Sequence, residues 1–275
     1  MPDTGKNIAD AKDKAVKELS KHIDEMGLTA YAILLKAIED TFDIKAGKIV
    51  GDKDFIKKLN KLTVDVLDLL QTSPKFTGPV SSFLKRMPSI SDEITSFQKS
   101  VNNIKVPELS VEKKIVIDET VNQMLGNGLN QHFVQPLRDL IYQNVRGGLS
   151  LSDARTAIKT YIQGGKDVSG KLGQYVEQTA QQSVTAYSGI IGKKLMETFD
   201  YNGMKIVGAL IDNSSPQCIF AVEELGREIK RSDWPKLKEL AKKNGLVKGT
   251  EFNDLPLNLL HWNCNHDFFP YIIKK

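Results

Sequence analysis

Tyr201-Asn202-Gly203-Met204-Lys205-Ile206-Val207-Gly208-Ala209-Leu210-Ile211-Asp212 is the stretch on which the fold class turns. Upstream of it, apolar residues recur every three or four positions. From Met204 to Ile211 they form one short, partly β-branched run closed by a turn-forming Asp212-Asn213-Ser214-Ser215-Pro216. That change of period predicts a strand after a long succession of helices. The chain therefore reads as α+β: mostly α-helical N-terminal and middle regions, with a small C-terminal α+β module.

Working back from Tyr201, the spacing predicts a long helix over roughly 169–200. Its stripe is Leu172, Val176, Ala180, Val184, Tyr187, Ile191 and Leu195, around a polar but small centre suited to close packing. Before it, Ser150 and Asp153 form a variant capping box that starts a helix carrying Leu151, Ala154, Ile158 and Ile162. Further upstream, Phe55, Leu59, Leu62, Val66 and Leu69 mark another helix, as do Ile90, Ile94, Phe97, Val101 and Ile104 between Pro88 and Pro107. A first helix is expected from about 7 to 26, stopped by Gly27. Gln71–Pro79 reads as a loop by composition. Working forward from Asp212, a short helix over 218–225, a strand over 227–230, a helix from Ser232 to Lys243 and a strand at Asp267-Phe268-Phe269 complete the module. These breaks suggest three regions: 1–106 helical, 107–200 helical and ending in the long helix, and 201–275 as the small module.

The chain has 275 residues, 40% hydrophobic and 26% charged, with a net charge of +4. This is the profile of a globular chain able to bury a sizeable core. The charge surplus permits weak attraction to nucleic acid and no more. No stretch approaches the roughly 20 apolar residues of a membrane span, and the first residues lack the apolar core of a signal peptide. Two cysteines are too few for a disulfide scaffold, so folding in a reducing cytoplasm is expected.

The scarce reactive side chains cluster. Of 4 His and 2 Cys in the chain, His261, Cys264 and His266 fall within one short terminal run, and Cys218 lies earlier in the same module. Three readings stay open. Two thiols and two imidazoles are a ligand set for tetrahedral zinc, although Cys218 stands alone and the residue three beyond it is Ala221. A Cys218–Cys264 disulfide would tie the two ends of the module. Alternatively the thiols are small buried apolar groups and the imidazoles hydrogen-bond the backbone. Phosphate-binding, metalloprotease and nucleophile-elbow motifs are absent from the sequence. An enzyme reading would have to use His261, His266 and Asp267, as a nuclease or transferase carried into a host.

The order of parts, a helix after Gly147-Gly148-Leu149-Ser150, a long helix containing Thr179, a strand leading to Asp212, then Cys218, Gly226 and the terminal His261, Cys264 and His266, resembles the phage head morphogenesis family, the Mu F-like minor head proteins. The resemblance spans Arg146 to Tyr271. Ala221 stands where that family has a second Cys, Trp262 where it has Pro, and His266 where many members have Cys. What the resemblance implies is a non-enzymatic minor structural protein of a tailed-phage virion, at the capsid interior or portal vertex. Such a protein acts in head assembly, DNA packaging or ejection, with the portal or other capsid proteins as partners and packaged DNA nearby. No cofactor is expected unless the four Cys and His side chains hold zinc.

Overall fold

A computed structural model describes residues 4–166, 168–208, 210, 214, 216–243 and 266–273. It is mostly helical, with three small antiparallel sheets, and so is α+β as the sequence predicts. The chain divides into two compact units, one of residues 16–85 and 118–180, the other of 1–15, 86–117 and 181–275.

In the first unit, α2 (Ile23–Thr41) packs on α3 (Phe55–Thr72) and on α8 (Leu151–Gln163), and α7 (Gln135–Arg146) packs on both α3 and α8. The α3 stripe of Phe55, Leu59, Leu62 and Val66 is buried as its spacing predicts, whereas Leu69 is 44% exposed and Leu70 faces inward. Phe42 meets Phe55 at a tilt and Phe55 stacks on Tyr142, with ring centroids 5.3 and 6.3 Å apart. Ser150 caps α8 as expected, its Oγ accepting from the Asp153 N–H at 3.1 Å and donating to the Asp153 carboxylate at 2.7 Å. Pro136 does not interrupt the chain. A π turn at Asn130–Val134 delivers it to the start of α7, where a missing N–H costs least.

Two expectations in this region give way. Gly27 is no helix stop: α1 (Thr4–Ser20) ends earlier and α2 runs through Gly27. A Cβ at that position would stand 3.5 Å from Gln163 Cγ, so the glycine marks close helix packing. Nor is Gln71–Pro79 a loop. Only Ser73 separates α3 from α4 (Pro74–Asn102), which continues through Pro79 and Pro88. Phe76, Val80, Phe83, Met87, Ile90, Ile94 and Phe97 are each at most 1% exposed, stepping by four and three without a slip. Burial of such side chains at about 1.5–3 kcal/mol each outweighs two internal prolines at about 3 kcal/mol each. A two-residue hairpin, β1 (Ile44–Lys45) and β2 (Lys48–Ile49), has no counterpart in the sequence reading. Its turn is Ala46-Gly47, without the Asn or Asp that signals such turns.

The second unit holds the later part of α4, the start of α5 (Ser110–Leu125), the later part of α9 (Lys171–Thr198) and a three-stranded sheet. All seven predicted stripe residues of α9, from Leu172 to Leu195, are at most 1% exposed. Asn103, at φ 55°, ends α4 in the left-handed conformation, before Pro107 can do so.

Candidate functional site

The sheet that carries the terminal motif has the order β6-β5-β7, all antiparallel. The central strand β5 (Gly203–Val207) is the one forecast after Tyr201, though shorter at its C-terminal end. Gly203 is required there, since a Cβ would stand 2.8 Å from the Ile229 carbonyl oxygen. On one side lies β6 (Glu228–Lys230), and on the other β7 (Asp267–Tyr271) pairs with β5 from Gly203↔Tyr271 to Val207↔Asp267. Among the described residues β7 is an edge strand, a place that tolerates Pro270.

Cys218 sits on α10 (Pro216–Ile219), which passes into a π turn at Phe220–Glu224. It is 0% exposed, in a cluster with Met204, Ile206, Phe220, Ala221, Ile229 and Leu237. Trp234 and Leu240 of α11 (Trp234–Lys243) pack against the same cluster. Ala221 is also 0% exposed, so the place where a second thiol would stand is filled by a methyl group inside the core.

His266 directly precedes β7 and is 3% exposed. The pairing Val207↔Asp267 sets it beside the C-terminal end of β5. At that end the Arg227 guanidinium donates to the Gly208 carbonyl at 2.6 Å. His261, Cys264 and Asp212 lie outside the described residues. Among the described residues, no group of three or more His, Cys, Asp or Glu side chains could hold a metal ion.

β7 is secured by a buried ring and by two side-chain amides whose role the sequence does not signal. Phe269 is fully buried, its ring centroid 5.6 Å from that of Phe97 on α4. Asn102, at the end of α4, donates through Nδ2 to the Pro270 carbonyl at 2.6 Å and accepts at Oδ1 from the Ile272 N–H at 3.1 Å. Asn202 does the same for Ile273, accepting from its N–H at 2.7 Å and donating to its carbonyl at 3.0 Å. Two side-chain amides thus act as short stretches of strand. Asn102 and Pro270 are 168 residues apart, and no local pattern announces such a pair. Lys205 stands 3.6 Å from Glu228 and 5.1 Å from the Tyr271 ring centroid. Burial pushes the Tyr271 hydroxyl above its ordinary range, and the Glu228 carboxylate adds to the shift.

A separate concavity of about 810 Å³ belongs to the first unit. It lies at the hairpin of β3 (Gly164–Gly165) and β4 (Val168–Ser169), with Asp24, Gln163, Lys166, Gln174 and Glu177 in its wall. Its described lining holds neither His nor Cys. No family model, curated protein or solved structure matches the chain.

Proposed function

We propose that the chain is a minor head protein of a tailed phage, a non-enzymatic component of the capsid interior or portal vertex that acts in head assembly, DNA packaging or ejection. The observation that carries this reading is the use made of the terminal run. The described part of it, His266 to Ile273, is built into the module as an edge strand with a buried anchor, and His266 and Cys218 are both enclosed. Of the residues an enzyme would use, His266 is 3% exposed, which leaves it little access to a substrate. The order of elements from α8 through α9, β5, α10 and β6 to β7 follows the order that carries the resemblance to the Mu F-like minor head proteins.

The cluster's role in this reading is to hold the module together, with zinc or a Cys218–Cys264 bond as forms that role could take. The partner is the portal or another capsid protein. The test is co-expression with the portal protein of the same phage, followed by size-exclusion chromatography. Co-elution of the chain with the portal protein is the expected result, with His261→Ala and His266→Ala lowering the melting temperature and abolishing no catalytic activity. A chain that never associates with head proteins, and whose two His variants abolish a nuclease or transferase activity at unchanged melting temperature, would overturn the proposal in favour of an enzyme.

A further inference from the structure

The β1–β2 hairpin and the residues that lead into α3 carry more lysines than their own carboxylates balance. Between Asp43 and Asp65 the chain carries six lysines and four aspartates. Lys58 engages both Asp43, at 3.6 Å, and Asp52, at 2.7 Å, and Lys61 engages Asp65 at 2.5 Å. Lys58 is thus shared by two aspartates and Lys53 also acts on Asp52, so the segment keeps a net charge of +2, carried outward by Lys45, Lys48, Lys53 and Lys57. All four lysines are exposed, and among the described residues none of them has an ion-pair partner. Across a chain whose net charge is only +4, this is a local surplus.

The arrangement is locally unfavourable. Lys45 and Lys48 are direct cross-strand partners, and like charges placed opposite each other weaken a hairpin. Ala46 holds the left-handed conformation, at φ 49°, where an Asn, Asp or Gly would be at ease. The hairpin is nevertheless fixed in place. The Gly47 carbonyl accepts from the Leu151 N–H at 2.7 Å, at the first turn of α8, and the Asp43 carbonyl accepts from the Val50 N–H at 2.9 Å. Lys58 ties the hairpin root to the start of α3 through Asp43 and Asp52. A hairpin anchored by these bonds and followed by exposed lysines suits an anionic partner.

We propose that the β1–β2 hairpin, the turn at Lys53 and the first turn of α3 form a sequence-independent docking surface for the phosphate backbone of duplex DNA, contacted by Lys45, Lys48, Lys53 and Lys57. Lysine is a point charge that meets phosphate without demanding geometry, and it is depleted at the cores of protein–protein interfaces. The patch lacks the aromatic and Arg anchors of a protein hot spot. The exposed apolar residues beside it are Ile44, at 38%, and Ile56, at 48%. The inference goes beyond the proposed function. The surface lies upstream of the stretch that carries the resemblance, so each can fail without the other.

The test is a titration of the full chain with a labelled random-sequence duplex over a series of salt concentrations. Four phosphate contacts give a slope of log K against log salt of about −3 to −4. Lys45→Gln with Lys48→Gln, or Lys53→Gln with Lys57→Gln, each reduces that slope by about two, and all four together remove the binding. Lys14→Gln, an exposed lysine on α1, leaves the slope within about one unit of the wild type. Circular dichroism and thermal melting confirm that the variants fold. A flat slope in the wild type would overturn the proposal. So would a quadruple variant that binds like the wild type, or polyglutamate binding as tightly as DNA, which would point to an acidic protein partner.

Discussion

Cys218 decides more at the residue scale than its single thiol suggests. It is 0% exposed among Met204, Ile206, Phe220 and Ile229, which is how a small apolar residue is used in a core. If packing is its role, Cys218→Ala costs about 1 kcal/mol, and Cys218→Ser costs more, about 1–3 kcal/mol, because it buries a hydroxyl. If the sulfur instead ligates a metal or closes a disulfide, the two variants are equally damaging, since neither supplies a thiolate. Chemical unfolding of the two variants separates the cases, and the packing role requires Ala to be the milder change. The burial of Cys218 was legible in part from its rarity and its apolar surroundings. The turn at Ala46 was not, because an alanine carries no sign that its backbone will turn left-handed.

At the scale of elements, α4 and β7 depend on each other through Phe97 and Phe269. Truncating either ring to Ala should cost about 3–5 kcal/mol, with a coupling of about 0.5–1.5 kcal/mol in a double-mutant cycle. Denaturant melts of the two single variants and the double variant measure it. Strict additivity would mean that the rings merely share a core and do not latch the strand. The helices were readable from spacing alone where burial is one-sided: the α9 stripe is buried at every predicted position. α4 was half read. Composition at Pro74, Pro79 and Pro88 suggests breaks, whereas in the structure Phe76, Val80, Phe83 and Met87 continue the stripe of Ile90, Ile94 and Phe97, and their burial holds the helix together. The strand at 267–269 was expected on its aromatic residues, but its extension to Tyr271 depends on pairing with β5 and on Asn102, partners far away in sequence.

At the scale of the whole molecule, the chain is not laid out in sequence order. Three successive regions, 1–106, 107–200 and 201–275, are what the breaks in pattern suggest, whereas the two compact units each collect segments from distant parts of the chain. Local periodicity carries no information about which helices will share a core, so this grouping had no signal to find. Each unit carries one of the two proposed roles. The unit with the three-stranded sheet holds the terminal run that resembles a minor head protein. The other unit holds the lysine hairpin, for which the salt slope of DNA binding is the prediction. A virion protein that touches packaged DNA would use both, but what defines it is membership of the particle. The most direct measurement is quantitative mass spectrometry of purified, nuclease-treated phage particles. The account predicts the chain there in a fixed low ratio to the portal protein. Its absence from particles, alongside abundance in the infected-cell lysate, would contradict it.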